Sequence, residues 1–311
     1  MKQKVIAIVG PTAVGKTSMS IEIAKTFDGE IISGDAMQVY KGMDIGTAKI
    51  TESEMQGIPH YMIDIKNPDE TFSAADFKSY VQMYITDIAA RGKVPIIVGG
   101  SGLYIQGALY DFNFSKHKRN HAIVHKLERI LAKEGIEPLY NKLKTIDPKQ
   151  AEKIHPNNHR RVIRALEIYE ATGMTMAERQ RQQNTETPYD IFFVGLQMER
   201  KLLYERINAR VDKMIKEGLV DEVRSLYEKG YEHCQSMQAI GYKEFLPYFR
   251  HERSLEKSID ILKRNSRRYA KRQYTWFKNK MKVTWYTMVP GEVDKQRRNI
   301  LRDLAGFLKK E

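Results

Sequence analysis

The chain has 311 residues, of which 41% are hydrophobic and 29% are charged. This length predicts about two domains, and this composition predicts a packed core, which excludes a mostly disordered chain. Lys and Arg number 52 against 39 Asp and Glu, so the formal net charge is +13. Such a surplus leaves two interpretations open: a polyanionic partner, such as nucleic acid or an anionic membrane, or a basic protein without one.

Neither a membrane span nor a targeting segment is predicted from the sequence. No apolar run reaches the roughly 18 residues that a transmembrane helix needs. The apolar stretch near the N-terminus covers only residues 5–9, which is too short for a signal peptide. The single cysteine, Cys234, excludes an internal disulfide. We therefore expect a cytoplasmic protein with no membrane partner.

The first hundred residues alternate between β-rich apolar runs and helical patterns. Strands are predicted at residues 4–9, 30–33, 61–65 and 94–98, and helices at 17–26 and 77–90. Continuous apolar strands that alternate with helices are typical of a parallel sheet covered on both faces. The expected fold class is therefore α/β.

After about residue 111 the pattern becomes helical, and strand character returns only at 191–196 and 283–286. We therefore predict a helical domain inserted into the α/β core. Its expected limits are residues 114–189, and the core is expected to comprise residues 1–113 and 190–311, including basic C-terminal helices.

A phosphate-binding loop follows the first predicted strand and opens the first predicted helix. It fits G-x-x-x-x-G-K-[ST] at Gly10, Pro11, Thr12, Ala13, Val14, Gly15, Lys16 and Thr17. Glycines let consecutive N–H groups point into one concavity, and the helix N-terminus and Lys16 add positive charge. The Thr17 hydroxyl is a candidate Mg²⁺ ligand. ATP is the default occupant, although any diphosphate would satisfy the same donors.

Polar side chains follow the second and fourth predicted strands, where ligands bind in a doubly wound sheet. Asp35 is expected to point towards the phosphate site, where it could hold Mg²⁺ or accept a proton; otherwise it caps a turn. Ser101 lies among three glycines, Gly99, Gly100 and Gly102, which brings its hydroxyl close to a ligand unless the segment is an ordinary turn.

A basic and aromatic segment spans residues 263–282, with nine Lys or Arg and no acidic residue. Basic groups neutralise phosphates and planar rings stack on unpaired bases, which favours contact with nucleic acid. The alternative is a solvated helix face with aromatic residues in the core. The predicted insertion adds seven basic residues: Lys116, Lys118, Arg119, His159, Arg160, Arg161 and Arg164.

Taken together, these motifs resemble the tRNA dimethylallyltransferase family, also called tRNA isopentenyltransferases, over nearly the whole chain. The matching segments are residues 10–17, 33–49, 60–65, 72–77, 98–104, 159–167, 239–244 and 269–277. Residues 37–49, Met-Gln-Val-Tyr-Lys-Gly-Met-Asp-Ile-Gly-Thr-Ala-Lys, are the most distinctive.

The resemblance implies a nucleotide-kinase-like core with a helical insertion, and a prenyltransferase activity. The enzyme would move a dimethylallyl group from dimethylallyl diphosphate to N6 of the adenosine immediately 3′ of the anticodon in tRNA, releasing diphosphate. The phosphate loop would hold the diphosphate of the donor, with Mg²⁺ as cofactor. The nucleic-acid partner would be the anticodon stem-loop.

The resemblance also implies residue roles. Asp35 would take the proton from the amine, Ser101 would touch the reacting groups, and Arg210 would reach the diphosphate. Contacts with tRNA would come from Asp35, Ala36, Met37, Gln38, Ser101, His159, Arg160, Arg161, Val162 and Ile163. Three positions depart from the family pattern, since Val14 and Ala36 replace serines and Ser101 replaces a threonine.

Two other functions stay open at this stage. One is an ATP-dependent small-molecule or nucleotide kinase, which would use the phosphate loop but leaves the basic segment without a role. A GTPase is not expected, because the sequence has no Asn-Lys-x-Asp motif. A non-catalytic RNA-binding module leaves the phosphate loop unexplained. We expect a monomer, because one asymmetric tRNA would occupy both domains.

Overall fold

The computed structural model describes residues 2–114, 120–182 and 186–309. These residues form two compact units. One contains the chain up to Asp111 and from Thr187 onward, and the other spans Phe112–Glu186. We describe them as the core unit and the helical unit.

The core unit is built on one six-stranded sheet. Its strands are β1 (Gln3–Val9), β2 (Gly29–Ser33), β3 (His60–Tyr61), β4 (Val94–Gly99), β5 (Tyr189–Gln197) and β6 (Thr284–Thr287). The strand order is β3-β2-β4-β1-β5-β6, and every pairing is parallel. Central strand β1 pairs with β4 on one side and β5 on the other, so that Ile6 lies between Ile96 and Phe192.

The helices follow in chain order. They are α1 (Lys16–Thr26), α2 (Glu52–Met55), α3 (Ala74–Ala90), α4 (Gly102–Leu109), α5 (His121–Glu134), α6 (Glu137–Ile146), α7 (Pro148–Ala151), α8 (His159–Thr172), α9 (Met176–Arg181), α10 (Arg200–Lys216), α11 (Leu219–Glu228), α12 (Leu246–Phe249), α13 (Leu255–Lys280) and α14 (Val293–Lys309). Short 3-10 turns occupy Tyr231–His233 and Ser236–Gln238. Among the described residues, no helix combines the length and apolar character needed to cross a bilayer.

Both faces of the sheet are buried, as the continuous apolar strands predict. Alternate residues of β1 face opposite ways: Val5 and Ala7 join one apolar cluster with Phe77, while Ile6 and Ile8 join another with Met19. The predicted α/β class is therefore confirmed.

The third strand is shorter than predicted. Residues 61–65 were expected to be extended, but pairing with β2 ends at Tyr61. Met62 and Asp64 adopt left-handed backbone conformations, with φ of 67° and 54°. Left-handed residues cannot continue a β ladder, so the chain turns away from the sheet immediately after β3.

The helical unit has an apolar core of its own. Helices α5, α6 and α8 contribute buried leucines, including Leu127, Leu143 and Leu166. Glu167, also buried, accepts the Asn120 backbone N–H at 2.9 Å and pairs with Arg164. The buried carboxylate is therefore satisfied locally, as buried charges must be.

Helix α13 anchors the core unit through Phe277, which is fully buried. We predict that Phe277→Ala lowers the free energy of unfolding by about 3–5 kcal/mol, because it removes apolar burial and leaves a cavity. Urea denaturation measures the change. The control, Met83→Ala, removes a side chain that is half exposed and should change stability by less than about 0.5 kcal/mol. Equal losses in both variants would contradict this assignment.

Candidate active site

The phosphate loop connects β1 to α1 through three left-handed residues. Gly10, Ala13 and Gly15 have φ values of 145°, 65° and 103°. A Cβ at Gly10 would lie 2.4 Å from the Leu196 carbonyl oxygen, so only glycine fits there. Gly15 caps α1 without a side-chain hydrogen bond, which leaves the first amides of the helix available to an anion.

Some side chains of the phosphate loop are buried in the core, and others are accessible to a ligand. Val14 is buried in the apolar cluster around Met19, so its backbone amide is the part that can meet a ligand. The loop can therefore carry a valine at this position, where the resemblance implies a serine. Thr17 lies exposed in the first turn of α1.

Lys16 folds back onto its own loop. Its Nζ donates to the carbonyl oxygens of Gly10 at 3.0 Å and Pro11 at 2.7 Å. Burial, together with the charge of Arg210, lowers the pKa of Lys16 to about 7, although the charge of Asp35 opposes the shift. The ammonium is therefore close to losing its proton while no anion is bound.

Arg210 comes from α10 and reaches the same loop. Its Nη1 donates to the Thr12 hydroxyl at 3.3 Å, and burial lowers the pKa of its guanidinium. Within the described ranges, no carboxylate lies at salt-bridge distance from Arg210 or Lys16. Two partly desolvated cations without a carboxylate partner in that part of the chain, beside the uncapped N-terminus of α1, form a strong anion site.

Asp35 lies just beyond β2, as predicted. One carboxylate oxygen, Oδ1, accepts the Met37 N–H at 2.8 Å. Burial raises the pKa of Asp35, while the amides of Met37 and Gln38 and the charges of Lys16 and Arg210 oppose the rise. A carboxylate that holds a proton more strongly than usual is suited to accept one during a reaction.

Ser101 lies at the start of α4, where the ends of β2 and β4 meet. Its hydroxyl accepts the Ala36 N–H at 3.2 Å, and its own N–H donates to the Gly34 carbonyl at 3.3 Å. A Cβ at Gly99 would lie 2.3 Å from the Gly34 carbonyl carbon, so this approach needs glycine. The structure thus brings Ser101 and Asp35 together on one edge of the sheet.

Tyr269 and Gln273 complete the site from α13, although the sequence predicted neither of them at the phosphate loop and gave Tyr269 only a stacking role in the basic segment. Burial, together with the charge of Asp35, raises the pKa of Tyr269 to about 12, although hydrogen bonds with Ser101 and Gln273 oppose the rise. Gln273 accepts the Thr12 N–H at 2.9 Å and donates to the Gly100 carbonyl at 3.2 Å. This buried amide ties the phosphate loop to the segment that carries Ser101.

The four residues predicted to touch the nucleotide are placed differently from one another. Asp35 and Gln38 line the cavity, whereas Ala36 is buried and Met37 packs against the core. The Gln38 amide is engaged internally: Oε1 accepts from Ser33, and Nε2 donates to the carbonyls of Thr47 and Ala48. A base can therefore donate a hydrogen bond to Oε1, which still has one lone pair unused, but it can accept one from Nε2 only if the amide turns.

These groups surround one cavity of about 810 Å³. Its polar wall contains Lys16, Asp35, Gln38, Arg210 and Tyr269, and its apolar wall contains Ile21, Ile31, Ile50, Ile63 and Val98. Arg206 and Glu54 also line it and were not predicted. A cavity with a charged end and isoleucine-rich walls accommodates a molecule that is part anion and part hydrocarbon.

The predicted RNA-contacting residues of α8 point in two directions. His159, Arg160 and Arg161 are exposed, whereas Val162 and Ile163 are buried in the core of the helical unit. The side chains of Val162 and Ile163 therefore stabilise the helix rather than face a ligand. Lys116, Lys118 and Arg119 lie outside the described residues.

Helix α13 presents both bound and exposed cations. Lys263 pairs with Asp212 at 2.5 Å and Arg267 donates to Asn208 at 2.6 Å. Seven further cations of this helix are exposed: Lys257, Arg264, Arg268, Lys271, Arg272, Lys278 and Lys280. Of the aromatic residues expected in the core, Phe277 is fully buried and Trp276 is half-buried.

The parallel sheet and its phosphate loop define an α/β protein of the P-loop class. A family model described as IPP transferase matches residues 38–280. The chain is 58% identical over 311 residues to a protein of Oceanobacillus iheyensis named tRNA dimethylallyltransferase, covering 100% of this chain and 99% of that one. The chain belongs to the IPP transferase family.

Two solved structures are similar to this fold. The full-length tRNA isopentenylpyrophosphate transferase of Bacillus halodurans has a TM-score of 0.76 and 52% identity, covering 99% of this chain and 97% of that one. A eukaryotic dimethylallyltransferase described as acting on tRNA has a TM-score of 0.77 and 35% identity, covering 96% and 78%.

The low pKa of Lys16 predicts proton uptake when an anion binds. At pH 8 the free ammonium, with a pKa of about 7, is largely deprotonated. A bound diphosphate raises that pKa, so binding takes up most of one proton and weakens as pH rises. Calorimetry with inorganic diphosphate in buffers of different ionisation enthalpy measures the uptake.

Lys16→Arg is the matched variant, because its guanidinium stays charged at this pH. The variant should lack the extra uptake, since proton exchange by diphosphate itself is common to both proteins. Identical uptake by wild type and variant would show that Lys16 is already charged before binding.

Proposed function

We propose that this enzyme transfers a dimethylallyl group from dimethylallyl diphosphate to N6 of the adenosine immediately 3′ of the anticodon in tRNA. Relatives named tRNA dimethylallyltransferase match the whole length of the chain. One observation carries the proposal. Lys16 and Arg210, which have no carboxylate partner among the described residues, line one cavity together with the phosphate loop and the desolvated carboxylate of Asp35.

The phosphate loop stabilises the leaving group. As the bond between C1 of the prenyl group and its diphosphate oxygen breaks, the electron pair goes to that oxygen. Lys16, Arg210 and the loop amides, which line the cavity, would stabilise the growing negative charge. The Lys16 ammonium, which donates to the carbonyls of Gly10 and Pro11, would exchange these contacts for the diphosphate oxygens.

Asp35 acts as the base towards the acceptor adenosine. The exocyclic amine of adenine is a weak nucleophile, since its lone pair is delocalised into the ring. As the bond from N6 to C1 forms, N6 releases a proton, and the Asp35 carboxylate accepts it. The raised pKa of Asp35 makes that transfer more favourable than it would be for an ordinary aspartate.

Ser101 and Tyr269 shape the space between the two substrates. Their hydroxyls interact with each other and lie near Asp35. Ser101 lacks the methyl group of the family's usual threonine, so its hydroxyl is less restrained in rotation. The contacts with Ala36 and Tyr269 restrain it instead, and we assign it contact with the reacting groups.

Mg²⁺ fits this site as a companion of the diphosphate. No group of three or more Asp, Glu, His or Cys residues that could cage a metal occurs in the described part of the chain. Mg²⁺ commonly binds through substrate phosphates with few protein ligands, and the exposed Thr17 hydroxyl is suited to provide one. The ion would supply further neutralisation of the diphosphate charge.

The anticodon stem-loop would bind through exposed cations of α13 and through His159, Arg160 and Arg161 of α8. Single-stranded loops let a base leave its stack cheaply, so the target adenosine can enter the cavity. We propose that the enzyme works as a monomer in the cytoplasm.

A kinase is not favoured. It would also use the phosphate loop, but relatives named as prenyltransferases match the chain along its entire length. Labelled dimethylallyl diphosphate and labelled ATP, each supplied with Mg²⁺ and unmodified tRNA, separate the two. Label from the first donor should enter tRNA, whereas phosphoryl transfer from ATP to any acceptor would support the kinase.

Asp35→Asn should lower the single-turnover rate of prenyl transfer by about 10²–10⁴-fold, because the amide cannot accept the proton. Binding of an anticodon stem-loop should change by less than about twofold. Asp190→Asn, at an exposed position on β5, is the control and should keep the wild-type rate. A near-normal rate in Asp35→Asn would remove Asp35 as the base.

Exposed cations of α13 predict strong salt dependence of tRNA binding. Replacing Arg264, Arg268 and Lys271 together by alanine should weaken binding and reduce the slope of log K against log salt by up to about three, one for each phosphate that is no longer neutralised. The control triple variant removes Lys216, Lys229 and Arg302, which are also exposed. Equal slopes for wild type and the α13 variant would contradict the role of this face.

A further inference from the structure

The segment between Gly34 and Lys49 carries the base-side wall of the cavity without regular secondary structure of its own. Asp35 lies at one end, and the carbonyls of Thr47 and Ala48 lie near the other. Such a segment keeps its shape only through partners elsewhere in the fold. Its middle is attached to the residues after β3, through Asp64 N–H to Gln38 O at 3.2 Å and Lys66 N–H to Val39 O at 2.9 Å.

Residues 44–46 of the segment are anchored by the Glu222 carboxylate, in addition to the ion pairs that Lys49 forms with Asp44 and Asp64. Glu222, in the first turn of α11, accepts three consecutive backbone N–H groups: Asp44 at 2.9 Å, Ile45 at 2.8 Å and Gly46 at 3.0 Å. It also accepts the Tyr242 hydroxyl at 2.6 Å. Four donors use the full accepting capacity of the two carboxylate oxygens.

Tyr242 packs against the residues that Glu222 anchors. Its side chain is fully buried, and its ring lies so close to Gly46 that a Cβ there would be 2.5 Å from Cε2. Gly241 is left-handed, with φ of 103°, and its N–H is accepted by buried Glu244 at 2.9 Å. The two glycines and the tyrosine therefore fix where residues 44–46 can lie.

A chain of hydrogen bonds leads from this anchor to the cavity. The carbonyls of Thr47 and Ala48, directly after the anchored residues, accept Gln38 Nε2 at 3.3 Å each. Gln38 Oε1 accepts the Ser33 hydroxyl at 2.8 Å, and that hydroxyl accepts the Asp35 N–H at 3.3 Å. Gln38 and Asp35 both line the cavity.

We propose that Glu222 is a positioning residue for the prenyl transfer: it holds residues 44–46 so that the Gln38 side chain, and through it Asp35, keeps its orientation towards the acceptor base. Glu222 does not touch the substrates. The inference rests on the proposed function, because only that function gives Asp35 and Gln38 their roles.

Glu222→Gln tests the proposal with little change of shape. The amide keeps one acceptor, but its NH₂ group faces backbone N–H donors, so part of the anchor is lost. The single-turnover rate at saturating dimethylallyl diphosphate and tRNA should fall about tenfold or more, as small misplacements of catalytic groups do. The affinity for inorganic diphosphate should stay within about twofold, since the phosphate loop is untouched.

The pH profile gives a second readout. Amides of Met37 and Gln38 lower the pKa of Asp35. If the segment loosens, these hydrogen bonds weaken, the pKa rises further, and the acid limb of the rate profile moves to higher pH. Asp221→Asn is the control, because Asp221 lies in the same helical turn but is 83% exposed. It should keep both the rate and the acid limb.

A double-variant cycle separates positioning from a general loss of stability. If Glu222 acts through Gln38, Glu222→Gln should add less than about twofold to the loss already caused by Gln38→Ala. Multiplied effects, or an unchanged rate and acid limb in Glu222→Gln, would overturn the proposal. If Glu222→Gln does not fold, Tyr242→Phe removes one donor from the same anchor. It should then lower the rate severalfold, and a wild-type rate would overturn the proposal.

The prenyl-transfer rate of the wild-type protein distinguishes a failure of this proposal from a failure of the proposed function. A wild-type protein that transfers no prenyl group would overturn the proposed function, and the role of Glu222 with it. A wild-type protein that transfers normally, beside an equally active Glu222→Gln, would overturn the role of Glu222 alone.

Discussion

Two cations without carboxylate partners among the described residues define this site, and the rest of the cavity is arranged around them. Lys16 and Arg210 are partly desolvated beside amides that have no side-chain cap. Burying charge without an opposite partner costs free energy, and a bound anion would offset that cost. Asp35 is desolvated in the same cavity and holds its proton more strongly than usual. A diphosphate would therefore complete a charge balance that the protein leaves open.

The positions of these groups depend on close contacts between elements far apart in sequence. Gln273 joins the phosphate loop to Gly100, and the Gly34–Gly99 approach joins the ends of β2 and β4. These connections are short, buried and specific in geometry. The segment from Gly34 to Lys49 is different, since it depends on hydrogen bonds from α11 and from the residues after β3. The leaving-group side of the cavity is thus held by short buried contacts, while the base side depends on hydrogen bonds to Glu222 and to the residues after β3.

The local sequence pattern, an apolar run followed by glycine or polar residues, predicted the parts of the site that lie at the ends of strands. The phosphate loop, Asp35 and Ser101 each follow an apolar run, and parallel strands bring their carboxyl ends to one edge. Tyr269, Gln273 and Glu222 were not predicted as parts of the site, because their partners are remote: Thr12 and Gln273 lie 261 residues apart. No periodicity encodes such a pairing. Val162 and Ile163 were grouped with basic neighbours on resemblance, although helical spacing to Leu166 already indicated that Val162 faces the core. The early end of β3 depends on left-handed residues that an apolar run does not reveal.

A crystal structure with an unreactive prenyl diphosphate analogue and an anticodon stem-loop tests the central claim most directly. The diphosphate should lie on the loop amides with Lys16 and Arg210 bound to it, and a carboxylate oxygen of Asp35 should lie about 2.6–3.2 Å from N6 of the extruded adenosine. A diphosphate bound away from the loop, or an Asp35 out of reach of N6 even through one water, would contradict the account.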